Sequence, residues 1–148
     1  MGMGELTNPS EALPSRDTQA TVLVVDDDLR LLGLTAAMLS AEGYRVLKAG
    51  TPEEAVRVFE QKHTDIDLLL SDVRMPGMSG PELGTRLRRV RPDLPVIFMT
   101  GDPDRVAALG KVLEKPFGMY DLCGRVAAAL GSPAPLGLDR TWLDRLRR

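Results

Sequence analysis

Little in this chain points outside the cytoplasm. A single cysteine, Cys123, stands among 148 residues, so no internal disulfide can form and nothing demands an oxidising compartment. No apolar run approaches the roughly 20 residues of a membrane span. Residues 1–20 lack the basic start and apolar middle of a secretory signal. The formal net charge of -2 gives no general attraction to nucleic acid or anionic lipid. The length fits one ordinary domain with enough residues for a real core. These absences predict a cytoplasmic protein with neither membrane nor nucleic acid as partner.

What the chain does contain is a concentration of acids at the ends of apolar runs. Asp26, Asp27 and Asp28 directly follow Val22-Leu23-Val24-Val25, and Leu68-Leu69-Leu70 leads to Asp72. Each run has the length and branching of a buried parallel strand, which puts the carboxylates where strands emerge at the rim of a sheet. Crowded carboxylates repel one another, and are tolerated when a hard cation binds between them or when one is covalently modified. An acidic metal pocket is therefore the first functional expectation.

Strand and helix signals alternate along the chain. Residues 1–20 read as a leader without periodicity. After the first strand, Leu31, Leu32, Leu34, Thr35, Met38 and Leu39 supply an apolar helical face that stops at Gly43. A second strand is expected at 44–49, then a helix opened by the capping signals Thr51, Pro52 and Glu54, with Ala55, Val58 and Phe59 as its stripe. A third strand over 67–71 runs into the turn-rich segment 72–80. Ser79 and Glu82 repeat the capping pattern ahead of Leu83, Leu87 and Val90. A fourth strand at 96–100, a short helical segment at 103–109, a fifth strand at 112–115 and a last helix carrying Leu122, Val126 and Leu130 complete the pattern.

Such alternation implies an α/β fold: a three-layer, doubly wound, five-stranded parallel sheet with right-handed crossovers. In the order 2-1-3-4-5 the topological switch point lies between strands one and three. Those strands end in the acids.

With its motifs in order, the chain resembles the CheY-like receiver domain of two-component response regulators. The resemblance spans residues 21–131 and rests on Val-Val-Asp-Asp-Asp after strand one, Leu-Ser-Asp-Val-Arg-Met-Pro-Gly-Met-Ser-Gly after strand three, Met-Thr-Gly after strand four and Glu-Lys-Pro-Phe after strand five. It implies that Asp72 accepts a phosphoryl group from a histidine kinase, a histidine phosphotransfer protein or a small phosphodonor. The resemblance further implies Mg2+ held by Asp27, Asp72 and the Arg74 carbonyl, with Asp26 acting through bound water. Lys115, followed by a cis Pro116, would reach the phosphoryl oxygens, and Thr100 would be the switch hydroxyl. Asp28 reads as a cap of the first helix. In this family the residues two positions after the acceptor and two after the threonine, here Arg74 and Asp102, tune the lifetime of the phosphoryl group. The implied role is signalling rather than enzymatic, with turnover limited to self-phosphorylation and slow self-dephosphorylation.

The chain also departs from that family's pattern. Lys115 follows Thr100 by only 15 positions, about two helical turns short of the usual spacing, so the fourth helix must be shortened. The position three before the lysine, usually aromatic, is Val112, and a valine cannot make the ring rotation that often accompanies the threonine shift. A pseudo-receiver that binds its partner without phosphorylation is the alternative reading. A haloacid-dehalogenase-type phosphohydrolase needs a second acid where Arg74 stands, and a dinucleotide site needs glycines where the aspartates follow strand one.

The other features are weaker. Cys123 is expected inside a helix rather than as a nucleophile, and His63 on the surface. Arg86, Arg88, Arg89 and Arg91 read as a solvated helix face, since no aromatic stacking residues accompany them. The Pro-containing tail, residues 132–148, offers Leu138, Trp142, Leu143 and Leu146 at helical spacing for docking on its own domain or on a partner. It is too short for a DNA-binding output domain, which favours a stand-alone receiver acting through contacts with a downstream protein.

Overall fold

A computed structural model describes residues 19–105 and 110–131. Within the sheet each strand is short and apolar: β1 (Thr21–Val25), β2 (Arg45–Ala49), β3 (Leu68–Asp72), β4 (Val96–Thr100) and β5 (Lys111–Glu114). All pairings are parallel, and the order is β2-β1-β3-β4-β5, as the alternation predicts. β1, β3 and β4 are buried nearly throughout, whereas β2 and β5 lie at the edges and are partly exposed.

Side chains alternate across a strand, so each strand feeds two cores. Leu23, Leu69, Val96 and Phe98 meet Phe59 of α2 (Pro52–Lys62) and Leu83 and Leu87 of α3 (Gly80–Arg88). Val22, Leu68, Ile97 and Met99 meet Leu32 and Leu39 of α1 (Leu29–Ala41) and Leu122 and Val126 of α4 (Met119–Ala129). This is the expected three-layer sandwich.

The helix starts follow their capping signals. Asp28 Oδ1 accepts the backbone N–H groups of Arg30 and Leu31, which makes it a cap. Thr51 Oγ1 accepts from Glu54 N, and Ser79 with Glu82 forms a reciprocal capping box. Capping α1 at Asp28 fixes its phase, and the buried positions become Leu32, Thr35, Ala36 and Leu39. Leu34, expected on that face, is 57% exposed. Val90 is likewise 54% exposed, because the chain leaves α3 before reaching it.

The expected fourth helix is described over Pro103–Arg105 only, as one turn of 3-10 helix, and 106–109 lie outside the described residues. Four α-helices are present among the described residues. The expected leader and tail also fall outside them, apart from Gln19, whose Nε2 donates to Gly43 O at 2.9 Å, and Ala20. None of the described helices is long and apolar enough to cross a membrane.

Cys123 is fully buried in α4, and burial, aided by the Glu42 carboxylate, pushes its thiol up to about 12. It is a packing residue. His63 is only partly exposed, a correction to its expected surface position. Its carbonyl ends α2 and accepts Arg91 Nη1 at 2.8 Å, and the same nitrogen also donates to Ile66 O. Arg91 thereby ties the end of α3 to the α2–β3 turn.

Gly80 opens α3 against the end of β3. A Cβ there would sit 3.2 Å from Ser71 Oγ and collide with the Asp72 carbonyl, whereas one on Gly33 meets nothing within 4 Å. Gly80→Ala should therefore lower stability in urea unfolding by about 1–3 kcal/mol, as overpacking does. Gly33→Ala, at an exposed helical position, should raise it by about 0.4–1 kcal/mol.

Candidate functional site

Strand register assembles the site at the carboxyl edge of the sheet. Val25 pairs with Ser71, so Asp26 and Asp72, each one residue further on, emerge side by side. Thr100 pairs with Glu114, so Lys115 emerges beside Thr100, and its N–H donates to Thr100 O at 2.8 Å. The Lys115–Pro116 peptide is cis.

Lys115 Nζ lies 3.3 Å from Asp26 Oδ2 and 3.2 Å from Asp72 Oδ1. Asp26 is fully buried, and its other oxygen accepts the Asp28 N–H at 3.0 Å. Asp27 is exposed and Asp72 half-buried. One carboxylate oxygen from each of Asp26, Asp27 and Asp72 falls within 4.8 Å of the others. Three clustered oxygens from hard ligands, partly open to solvent, suit a cation that keeps several waters. The donor set thus fits Mg2+. Beside it opens a cleft lined by Asp27, Val73, Arg74, Met75 and Ser79, with Arg74 itself exposed.

Burial pushes the Asp72 carboxyl above its ordinary value of 3.8, and the repulsion of Asp26 and Asp27 adds to the rise, while the Lys115 ammonium opposes it. Thr100 is buried, with its Oγ1 accepting the Asp102 N–H at 3.0 Å. Val112 is partly buried on β5, and its carbonyl accepts Arg125 Nη1 at 2.8 Å. Asp26, Asp27, Asp72 and Lys115 therefore converge, with Thr100 on the adjoining strand. Sequence reasoning passed over Gly80, although a glycine directly after a helix-capping serine is the kind of position where a close backbone approach shows.

Residues 22–127 match the family described as response regulator receiver domain. The chain belongs to this family. Receiver domains are signalling domains of two-component systems. Transcriptional regulatory protein GlrR of Escherichia coli (strain K12) is 36% identical over 134 residues, 86% of this chain and 30% of that protein. Sensor kinase CckA of Brucella abortus (strain 2308) is 37% identical over 101 residues, 67% of this chain and 10% of that protein. The chain thus spans a minor part of these curated relatives. Among solved structures, a response regulator receiver domain protein from Clostridium thermocellum superposes with a TM-score of 0.71 at 28% identity, covering 76% of this chain and 94% of that one.

Because the folded-state pKa of Asp72 lies above its unfolded value, the folded receiver binds more protons there. Stability is then lost as pH rises from 3.8 through the folded-state pKa, and the loss is complete above it. Asp72→Asn should accordingly raise the denaturation midpoint of the metal-free protein at pH 7, with the gain vanishing below the ordinary carboxylate range. Chemical denaturation in the presence of a chelator at several pH values measures this.

Proposed function

We propose that this receiver accepts a phosphoryl group on Asp72 from a phosphohistidine of a histidine kinase or a histidine phosphotransfer protein, and relays the signal through contacts with a downstream protein. The observation that carries this reading is the Lys115 ammonium 3.2 Å from Asp72 at the centre of a three-carboxylate cluster. An Asp72 oxygen attacks phosphorus, the P–N bond to the donor imidazole breaks, and an acyl phosphate forms. Lys115 supplies a fixed positive charge to the phosphoryl oxygens, and the Thr100 hydroxyl, beside it on β4, can donate to one of them. Mg2+, which Asp26, Asp27, Asp72 and the Arg74 carbonyl would hold, supplies further neutralisation of the phosphoryl oxygens. A cytoplasmic setting, where phosphohistidine donors are made from ATP, suits this chemistry.

Incubation with a small phosphodonor and Mg2+ should add one phosphoryl group by intact mass, and Asp72→Asn should abolish it. Asp27→Ala should weaken Mg2+ binding at least about tenfold in calorimetric titration, since it removes a direct charged ligand. A wild-type chain that stays unmodified would favour the pseudo-receiver, a reading suggested by the short spacing of 15 positions from Thr100 to Lys115.

Arg74 is exposed on the cleft beside Asp72, where its side chain can cover the approach of water to the acyl phosphate. Slow self-dephosphorylation is the expected behaviour. Arg74→Ala should shorten the lifetime of radiolabelled phosphoprotein several-fold, and an unchanged decay would leave Arg74 only its carbonyl.

A further inference from the structure

The arginine cluster at and just beyond the end of α3 divides into two pairs with different surroundings. Arg88 Nε donates to Leu94 O at 3.0 Å, and Arg91 is committed to the His63 and Ile66 carbonyls. These two are structural. Arg86 and Arg89 are exposed, and neither guanidinium has a hydrogen-bond or ion-pair partner among the described residues. Three residues apart in sequence, they line a groove of about 460 Å³ together with Met78, Pro81 and Thr85. The acid in this groove, Glu82, is occupied by the capping box, where its carboxylate accepts the Ser79 N–H at 2.9 Å.

We propose that this groove is a docking site for an acidic peptide segment of a partner protein, one presenting carboxylates to Arg86 and Arg89 and an apolar side chain to Met78 and Pro81. Charge complementarity selects that occupant. Two free guanidiniums offer planar, forked donors that match carboxylates, and the one carboxylate lining the groove, Glu82, gives an oxygen to the Ser79 N–H and pairs with neither. The mixed floor suits a peptide better than a bare anion. No aromatic residue lines the groove to stack a base. The site lies outside the acid cluster and needs no phosphoryl group, so it stands or falls independently of phosphorylation at Asp72.

The test is an amide chemical-shift titration of the whole 148-residue chain, unphosphorylated, with an end-capped peptide of sequence Glu-Leu-Asp-Glu-Leu-Asp. Shifts should concentrate at Met78, Thr85, Arg86 and Arg89 and weaken with added salt. The double variant Arg86→Ala/Arg89→Ala should lower the affinity about tenfold, while Arg57→Ala, on α2, leaves it unchanged. Both substituted side chains are exposed and unpartnered, and unaltered resonances elsewhere would verify that the variant is folded. Any of four results would overturn the proposal: no shifts at millimolar peptide, equal shifts from a Gln-Leu-Asn-Gln-Leu-Asn peptide, tighter binding of a duplex oligonucleotide at the same residues, or shifts that follow protein concentration alone and so mark a second copy as the occupant.

Discussion

One ammonium between two carboxylates holds the functional end of this molecule together. Asp26 has no exposed surface, and a carboxylate withdrawn from water costs several kcal/mol unless it is paired and hydrogen-bonded. Lys115, 89 positions further along the chain, pairs with one of its oxygens, and the Asp28 N–H meets the other. Only a parallel sheet with β1 next to β3 brings these groups to one edge. The compensation is nevertheless incomplete. Three carboxylates cluster about one ammonium, so two negative charges remain, which a single divalent cation would balance. The raised pKa of Asp72 expresses the same deficit, since burial and its acidic neighbours outweigh Lys115.

The strands and the acids were legible because both are written in short, contiguous patterns. Apolar runs ending in Asp26 and Asp72, and capping sequences at Thr51 and Ser79, need no tertiary information to read. Tertiary context decided the rest. In α1, apolar residues outnumber the places on one face, so the choice of Leu32 over Leu34 rests on where Asp28 starts the helix. The arginines at the end of α3 and just after it are alike in sequence, yet two are consumed by carbonyls of neighbouring turns that only folding brings within reach. His63 was misread for a related reason: Arg91, distant in the chain, reaches its carbonyl, while Phe59, one turn back on α2, stands beside its ring. Gly80 matters through a contact with the backbone of β3, which composition cannot reveal.

That contact also explains why the loop after Asp72 is so closely specified. Gly80 N donates to Val73 O at 2.8 Å, Val73 N to Met99 O at 3.1 Å, and the Ser71 hydroxyl to Asp72 O at 2.9 Å. Gly77 adopts a φ of 90°, which a side chain rarely tolerates, and a Cβ there would come 3.3 Å from Glu53 Oε2. The backbone around Asp72 is thus fixed from both sides, and the mouth of the acid cluster and the arginine groove share this loop: Ser79 lines the first and Met78 the second.

Thr100 sets the energy scale on which a phosphoryl group could be sensed. Its hydroxyl is held by the Asp102 N–H, a neutral hydrogen bond worth about 0.5–1.5 kcal/mol net. A bond from the same hydroxyl to a phosphoryl oxygen on Asp72 would be charge-assisted, roughly twice as strong as a neutral one. If Thr100 gave up the first bond to make the second, the exchange would favour the phosphoryl group by a margin near RT rather than by many kcal/mol, which is the scale of a population shift. With Val112 rather than an aromatic ring on β5, little side-chain volume has to move when the hydroxyl does. What could carry a change onward is hydrogen bonding on the two sides of β5: Lys115 N to Thr100 O on one, and the Arg125 guanidinium of α4 to Val112 O on the other. A phosphoryl group sensed at Thr100 would on this geometry reach the last helix along β5, with no large side chain as intermediary.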